Sequence, residues 1–410
     1  MTRPATHPNR SPWPLLGPAF VAAVAYVDPG NVAANLTAGA RYGYLLLWVL
    51  LAANAMAMLV QYSSAKLGLA TGRSLPDLLG TRLSRAPRLA YWVQAEIVAA
   101  ATDLAEVLGG ALALYLLFAV PLPVGGLIVG AVSMVLLSVQ NRRGQRRFEQ
   151  VIIGLLAIIT IGFLTGLVFA PPDPAGILAG LVPRFAGVDS VLLAASMLGA
   201  TVMPHAIYLH SALARDRHGR VDSRHPAGAR VIRATGVDVL AALLLAGAVN
   251  IAMLLLAAAA LQGRQDTDTI EGAHTAVSEA LGPAVATVFA IGLLASGLAS
   301  TSVGCYAGAT IMSGLLRRRI PLMARRAVTL LPALIILALG VDPTWALVIS
   351  QVVLSFGIPF ALIPLVRLTS DTALMGPLVN SARLHWALIA IAVLICLLNI
   401  ALVALTLFSG

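Results

Sequence analysis

Asp28, Pro29, Gly30 and Asn31 stand together inside an apolar stretch that runs from 15 to 40. Proline removes a backbone donor and glycine loosens a helix, so carbonyls near Ala25 and Tyr26 lose their helical partners where water is absent. A carboxylate, a carboxamide and freed carbonyls at one unwound point form an oxygen-rich site for a cation. A second interruption, Met203-Pro204-His205, lies in another apolar stretch and can face the first. Oxygen donors of this kind suit Mn²⁺, Ca²⁺ and Mg²⁺ alike. Met203 separates them, because a thioether offers little to hard Ca²⁺ or Mg²⁺ but coordinates softer Mn²⁺, Fe²⁺, Co²⁺ or Cd²⁺. Away from that setting Met203 would read as a packing residue, and Asp28 as the cap of the outer half-helix.

Glu96, Asp103 and Glu106 share a third apolar stretch. At about 100° per residue, their spacing puts all three on one stripe of a helix. Each acid inside a membrane costs roughly 2.5–3.5 kcal/mol, so the three with Asp28 cost on the order of 10 kcal/mol. They need partners or a purpose, either structural ion pairs or the uptake and release of protons. His205 and His210, five residues apart, do not share a helix face, and no glutamate follows in the zinc-hydrolase pattern, so a catalytic metal pair is disfavoured. Asn54, Asn250 and Asn399 read as contacts between helices, and the small residues of 295–309 as close helix packing.

These side chains need elements to hold them. Of 410 residues 59% are hydrophobic and 11% charged, with a mean hydropathy of +0.90, which describes a polytopic membrane protein rather than a soluble domain. Eleven stretches are long enough to span, at about 20 residues each: 15–40, 44–66, 89–118, 124–141, 149–170, 190–212, 235–262, 283–316, 322–340, 344–366 and 385–408. Residues 1–14 form a polar tail, and the first apolar run continues through its break, so no cleavable signal is expected. With a cytoplasmic N-terminus, only Arg41, Arg184 and Arg264 of the 27 Lys and Arg fall outside. This asymmetry fits the positive-inside rule and places the C-terminus outside. The net charge of +10 therefore marks topology and contact with anionic lipid, not a nucleic-acid partner. Cys305 and Cys396 both lie in apolar runs, so no disulfide framework is expected.

Spans one and six each carry a mid-depth proline, and five spans separate the starts of the two units, which implies five spans inverted against five. The Asp28-Pro29-Gly30-Asn31 break, the run from Ala200 and Thr201 through Val202, Met203, Pro204 and His205, and Tyr208-Leu209-His210-Ser211 together resemble the Nramp family of divalent metal transporters, most closely its bacterial proton-dependent manganese members. The resemblance covers nearly the whole chain. It implies an all-α LeuT-type fold of eleven transmembrane helices, with inverted repeats at 15–170 and 171–368, broken helices one and six, and an eleventh helix at 369–410. It implies metal ligation by Asp28, Asn31 and Met203 with the carbonyls of Ala25 and Ala200, and approach of Gln351 in some conformations. It also assigns Asp103 as a proton acceptor in a network with Glu96 and Glu106, assisted by Arg326 with Arg325 beside it. His205 and His210 modulate coupling and helix movement in this reading.

The expected function is proton-coupled import of Mn²⁺, with Fe²⁺ and related ions, by alternating access across the cytoplasmic membrane of a bacterium. The metal is cargo and no cofactor is expected. Partners are the divalent ion, the proton and the lipid bilayer, with no nucleic acid and no obligatory protein partner. A Mg²⁺ transporter would have little use for Met203. An amino-acid transporter would not set Asp28 beside its substrate's carboxylate. An intramembrane metalloenzyme would need a nucleophile or ligand cluster at proper spacing, which the sequence lacks.

Overall fold

The computed structural model describes residues 17–143, 145–264, 267, 269–317 and 322–408, and among these it is helical, without strands. The helices are α1 (Pro18–Val24), α2 (Pro29–Tyr42), α3 (Leu47–Thr71), α4 (Leu75–Arg82), α5 (Arg85–Phe118), α6 (Leu122–Arg143), α7 (Gln145–Phe169), α8 (Pro174–Gly180) and α9 (Val188–Thr201). There follow α10 (Pro204–His218), α11 (Pro226–Ala260), α12 (Ile270–Leu281), α13 (Pro283–Leu316), α14 (Leu322–Ala338), α15 (Pro343–Thr369), α16 (Thr372–Met375) and α17 (Ala382–Phe408). Among the described residues eight helices are long and apolar enough to cross a membrane, α9 and α10 counting as one. Shorter apolar helices at Pro18–Val27, Leu122–Leu136 and Arg326–Ala338 complete the eleven expected positions.

Ends set by polar capping differ from ends read off hydropathy. The seventh span starts at Pro226 rather than 235, because His225 Nδ1 accepts the amide of Ala227 and starts the helix outside the apolar stretch. The third starts at Arg85 rather than 89, after an extended Ser84 and without a side-chain cap. The short helices α4, α8, α12 and α16 lie in connections that hydropathy leaves blank. The tail 1–14, the start of the first span at 15 and 16, Arg318, Arg319 and the side chains of Arg142, Arg143 and Arg325 lie outside the described residues.

The broken sixth span, α9 with α10, is the most enclosed: 89% of its apolar window is buried, against 22% for α17, so the breaks are central and the last helix peripheral. Close approach to α1 and α2 comes from glycine. A Cβ on Gly109 of α5 would stand 2.0 Å from Pro29 Cβ, and one on Gly297 of α13 would stand 2.9 Å from Gly110 Cα. The first puts α5 against the first break, and the second lets α13 pack closely on α5. At its start, α1 is held from another helix, since the Asp238 carboxylate of α11 accepts the amides of Gly17 (3.0 Å) and Ala19 (2.9 Å).

Candidate metal site

The first break follows from its residues in order. After α1 a single 3₁₀ turn covers Ala25–Val27, and Asp28 is extended (φ −71°, ψ 168°). Pro29 then takes the first position of α2, where its fixed φ suits helix initiation. Asp28 Oδ1 caps that helix, accepting from Asn31 N at 2.7 Å and from Asn31 Nδ2 at 2.8 Å. In a continuous helix the amide at 29 would bind the carbonyl of Ala25; proline abolishes that donor.

The second break repeats the device. α9 stops at Thr201, Val202 leaves helical geometry, and Met203 is extended before Pro204 opens α10. The carbonyl that Pro204 deprives is Ala200. That oxygen accepts from Asn31 Nδ2 at 2.9 Å, so one carboxamide spans both breaks. Gln351 of α15 reaches in over Gly30, where a Cβ would stand 1.7 Å from Gln351 Nε2. Its Nε2 lies 3.5 Å from Asp28 Oδ2, the outer limit of a hydrogen bond. Asp28, Asn31, Ala200 and Gln351 thus share one polar group, and Ala25 and Met203 stand in the backbone of the two breaks. Met203 is fully buried.

Asn31 Oδ1 and Gln351 Oε1 are buried without a hydrogen-bond partner among the described residues. Such acceptors are costly unless a proton donor, water or cation meets them. No group of three or more His, Cys, Asp or Glu is placed to hold a metal among the described residues. Asp28 is the carboxylate of this group, beside the neutral oxygens of Asn31, Ala200 and Gln351.

Other freed carbonyls have been given donors. Tyr26 O accepts from Asn250 Nδ2 (2.7 Å) while Asn250 Oδ1 accepts from Asn35 Nδ2 (2.8 Å), and Val27 O accepts from Ser296 Oγ (2.5 Å). Sequence reasoning took Asn250 for an ordinary helix contact and missed Ser296 inside its small-residue run. The available signal was a polar side chain on a helix packed against a proline-broken one.

The acids of α5 meet a buried cation. Arg326 Nη1 lies 3.2 Å from Asp103 Oδ1, and Arg326 Nε donates to Ser133 Oγ at 3.1 Å. Glu106 is buried against Gly304, where a Cβ would stand 2.8 Å from Glu106 Oε1. Asp103 Oδ2 and Glu106 Oε2 have no hydrogen-bond partner among the described residues, whereas Glu96 is only half-buried. His205 and His210 turn to different neighbours, as their spacing requires: His205 Nδ1 meets Thr102 Oγ1 at 3.3 Å, and His210 Nδ1 meets Gln61 Oε1 at 2.8 Å. Gln61 Nε2 donates to the Tyr26 hydroxyl, which ties His210 back to the first break.

A cavity of about 230 Å³ lies beyond the site, lined by Thr37, Arg41, Asp189, Leu193, Asp342 and Val348. Thr37 is about 9 Å along α2 from Asn31, Leu193 about 10 Å along α9 from Ala200, and Val348 about 5 Å along α15 from Gln351. The cavity thus lies within about 10 Å of the Asp28–Asn31 group along these helices. Beside it, burial first and the charge of Asp342 second hold the Glu271 carboxyl above its ordinary range.

The family described as natural resistance-associated macrophage protein-like matches residues 19–405. The divalent metal cation transporter MntH of Mycobacterium tuberculosis is 60% identical over 397 residues, covering 97% of this chain and 92% of the relative. A manganese transporter of Eremococcus coleocola superposes with a TM-score of 0.86 at 30% identity, over 99% of this chain and 90% of the other. Mhp1, a nucleobase-cation-symport-1 family transporter, shares the fold alone, with a TM-score of 0.60 at 17% identity over 90% of this chain and 81% of the other. The all-α LeuT-type architecture expected from the sequence is the one observed. Two proline-broken helices joined by one carboxamide, and a family match across nearly the whole length, lead to one conclusion: the chain belongs to the Nramp family.

Proposed function

We propose that this chain imports divalent transition-metal ions, chiefly Mn²⁺ and also Fe²⁺, in symport with protons by alternating access. The observation that carries the reading is the Asn31 bridge from Asp28 to the Ala200 carbonyl, which gathers the donors of both breaks at one point. The ion enters through the cavity above Thr37 and Leu193, loses most of its water among Asp28, Asn31, Met203 and the carbonyls of Ala25 and Ala200, and leaves when α1 and α10 move. Gln351 completes the shell on the α15 side. Protons pass by Asp103, Glu106 and Glu96 toward Arg326, with His205 and His210 linking the route to the inner half-helix. Two positive charges moving through 100 mV release about 4.6 kcal/mol, enough for roughly a thousandfold accumulation.

The finer placement belongs to the same reading. The chain lies in the cytoplasmic membrane with its N-terminus inside and C-terminus outside, and the halves 15–170 and 171–368 are inverted repeats that rock against each other.

Mn²⁺ uptake into proteoliposomes, followed together with internal pH, tests this. Asp28→Ala should abolish both uptake and metal-evoked acidification; uptake at the wild-type rate would remove Asp28 from the site.

A further inference from the structure

Span ten, α15, carries Pro359 and Pro364 inside its helical run. Each lacks the amide that would bind the carbonyl four residues earlier, so Ser355 O and Phe360 O lose their helical donors. Both receive a donor from another helix. Asn399 Nδ2 of α17 donates to Ser355 O at 2.9 Å, and Ser355 Oγ donates back to Asn399 Oδ1 at 2.6 Å. The Tyr208 hydroxyl of α10 donates to Phe360 O at 3.2 Å. Asn399 and Tyr208 are both buried. Ser355 stands one turn beyond Gln351, the residue that packs over Gly30 and reaches Asp28.

We propose that Asn399 and Tyr208 are positioning residues that replace the two backbone hydrogen bonds missing from α15 and thereby hold Gln351 in place over the metal group. α17, outside the repeats, then has a task beyond packing: it clamps the proline-weakened helix one turn from the site. Tyr208 sits on α10, so the lower weak point of α15 is tied to the inner half-helix of the broken span. The transport consequence rests on the metal-site reading above; the replacement of backbone bonds does not.

The distinguishing prediction is rescue. If Asn399 serves the carbonyl freed by Pro359, restoring the amide with Pro359→Ala makes Asn399 dispensable. In the wild-type background Asn399→Leu leaves a buried carbonyl unsatisfied, and should lower the melting temperature and raise the KM for Mn²⁺ about tenfold. In the Pro359→Ala background the same change should move KM less than about twofold. Tyr208→Phe with Pro364→Ala forms a second, independent cycle should Asn399→Leu not fold. Losses that simply add in both cycles would overturn the proposal, as would coupling in melting temperature with no coupling in KM, which would leave a clamp without a positioning role. Should Asp28→Ala leave uptake intact, the metal-site reading fails, while the melting-temperature cycles still decide whether the clamp exists.

Discussion

On the proposed metal-site reading Met203 is the one soft donor among hard ones, and selectivity at the scale of a single residue turns on it. Ca²⁺ and Mg²⁺ gain little from sulfur, while Mn²⁺, Fe²⁺ and Cd²⁺ gain enough to be chosen over far more abundant hard ions. Replacing the thioether with a methyl group leaves the oxygen donors in place. Met203→Ala should therefore keep Mn²⁺ flux within about tenfold while admitting Ca²⁺ in a liposome flux assay; unchanged discrimination against Ca²⁺ would show that the sulfur does not select. Asp28 and Asn31 were legible in the sequence for a physical reason: a proline, a glycine and a carboxylate in an apolar run are costly unless they serve something. Ser296, Asn250 and Asp238 were not legible in the same way. Each makes its hydrogen bonds to the first span across more than 200 positions of chain, and nothing local marks which helix face will meet a freed carbonyl or amide.

At the scale of the element, α1 is the half-helix with most to explain. It has only seven residues, too few to be stable alone, and its first amides are satisfied by Asp238 of α11. Beside that contact, Glu149 of α7 lies 3.8 Å from Arg217 of α10, so the start of α1 and the end of α10 are anchored near one another. Asp238→Ala leaves the amides of Gly17 and Ala19 without their acceptor, a loss of about 1–3 kcal/mol for each buried group. The expected result is a lower melting temperature and a several-fold faster labelling of Val21→Cys by a thiol reagent from the inner side; labelling at the wild-type rate would show that the carboxylate does not restrain α1. Proline was visible in α15 as well as in the two broken spans, but a proline in a membrane helix is common and does not by itself announce a break. What separates the two cases is the backbone: α15 stays helical through both prolines, whereas Asp28 in the first span and Val202 and Met203 in the sixth leave helical geometry.

At the scale of the whole molecule, the arrangement of arginines and the place of the cavity lined by Thr37 and Leu193 accord with the proposed orientation. That cavity includes Arg41, one of three basic residues assigned outside, and the connections at the opposite end hold Arg220 and Arg224 beside α16. Orientation can be read directly. Arg264→Cys, exposed after α11, should react with an impermeant maleimide on intact cells, and Arg224→Cys, exposed before it, only after lysis; the reverse pattern would invert the proposed topology. The buried Cys305 and half-buried Cys396 make a quiet background for that measurement. The span count was legible from hydropathy and loop charge because the bilayer imposes one length and one sign rule on every span, whereas the LeuT-type fold was legible only through the resemblance carried by the two breaks. Helix tilt, and the extension of α5 and α11 past the apolar stretches, were not, because beyond the lipid the helix ends answer to capping and solvent.

The lone carboxylate at the breaks has an electrical consequence. On the proposed role, a centre carrying a divalent ion against one negative group bears a surplus of one positive charge, and the same centre after release, with Asp28 ionised, bears one negative charge. A membrane potential that is negative on the inner side then draws the occupied form inward and urges the vacant form back out. Both strokes of the cycle are biased in one sense, so the carrier behaves as a rectifier, and its steady turnover registers as an inward current.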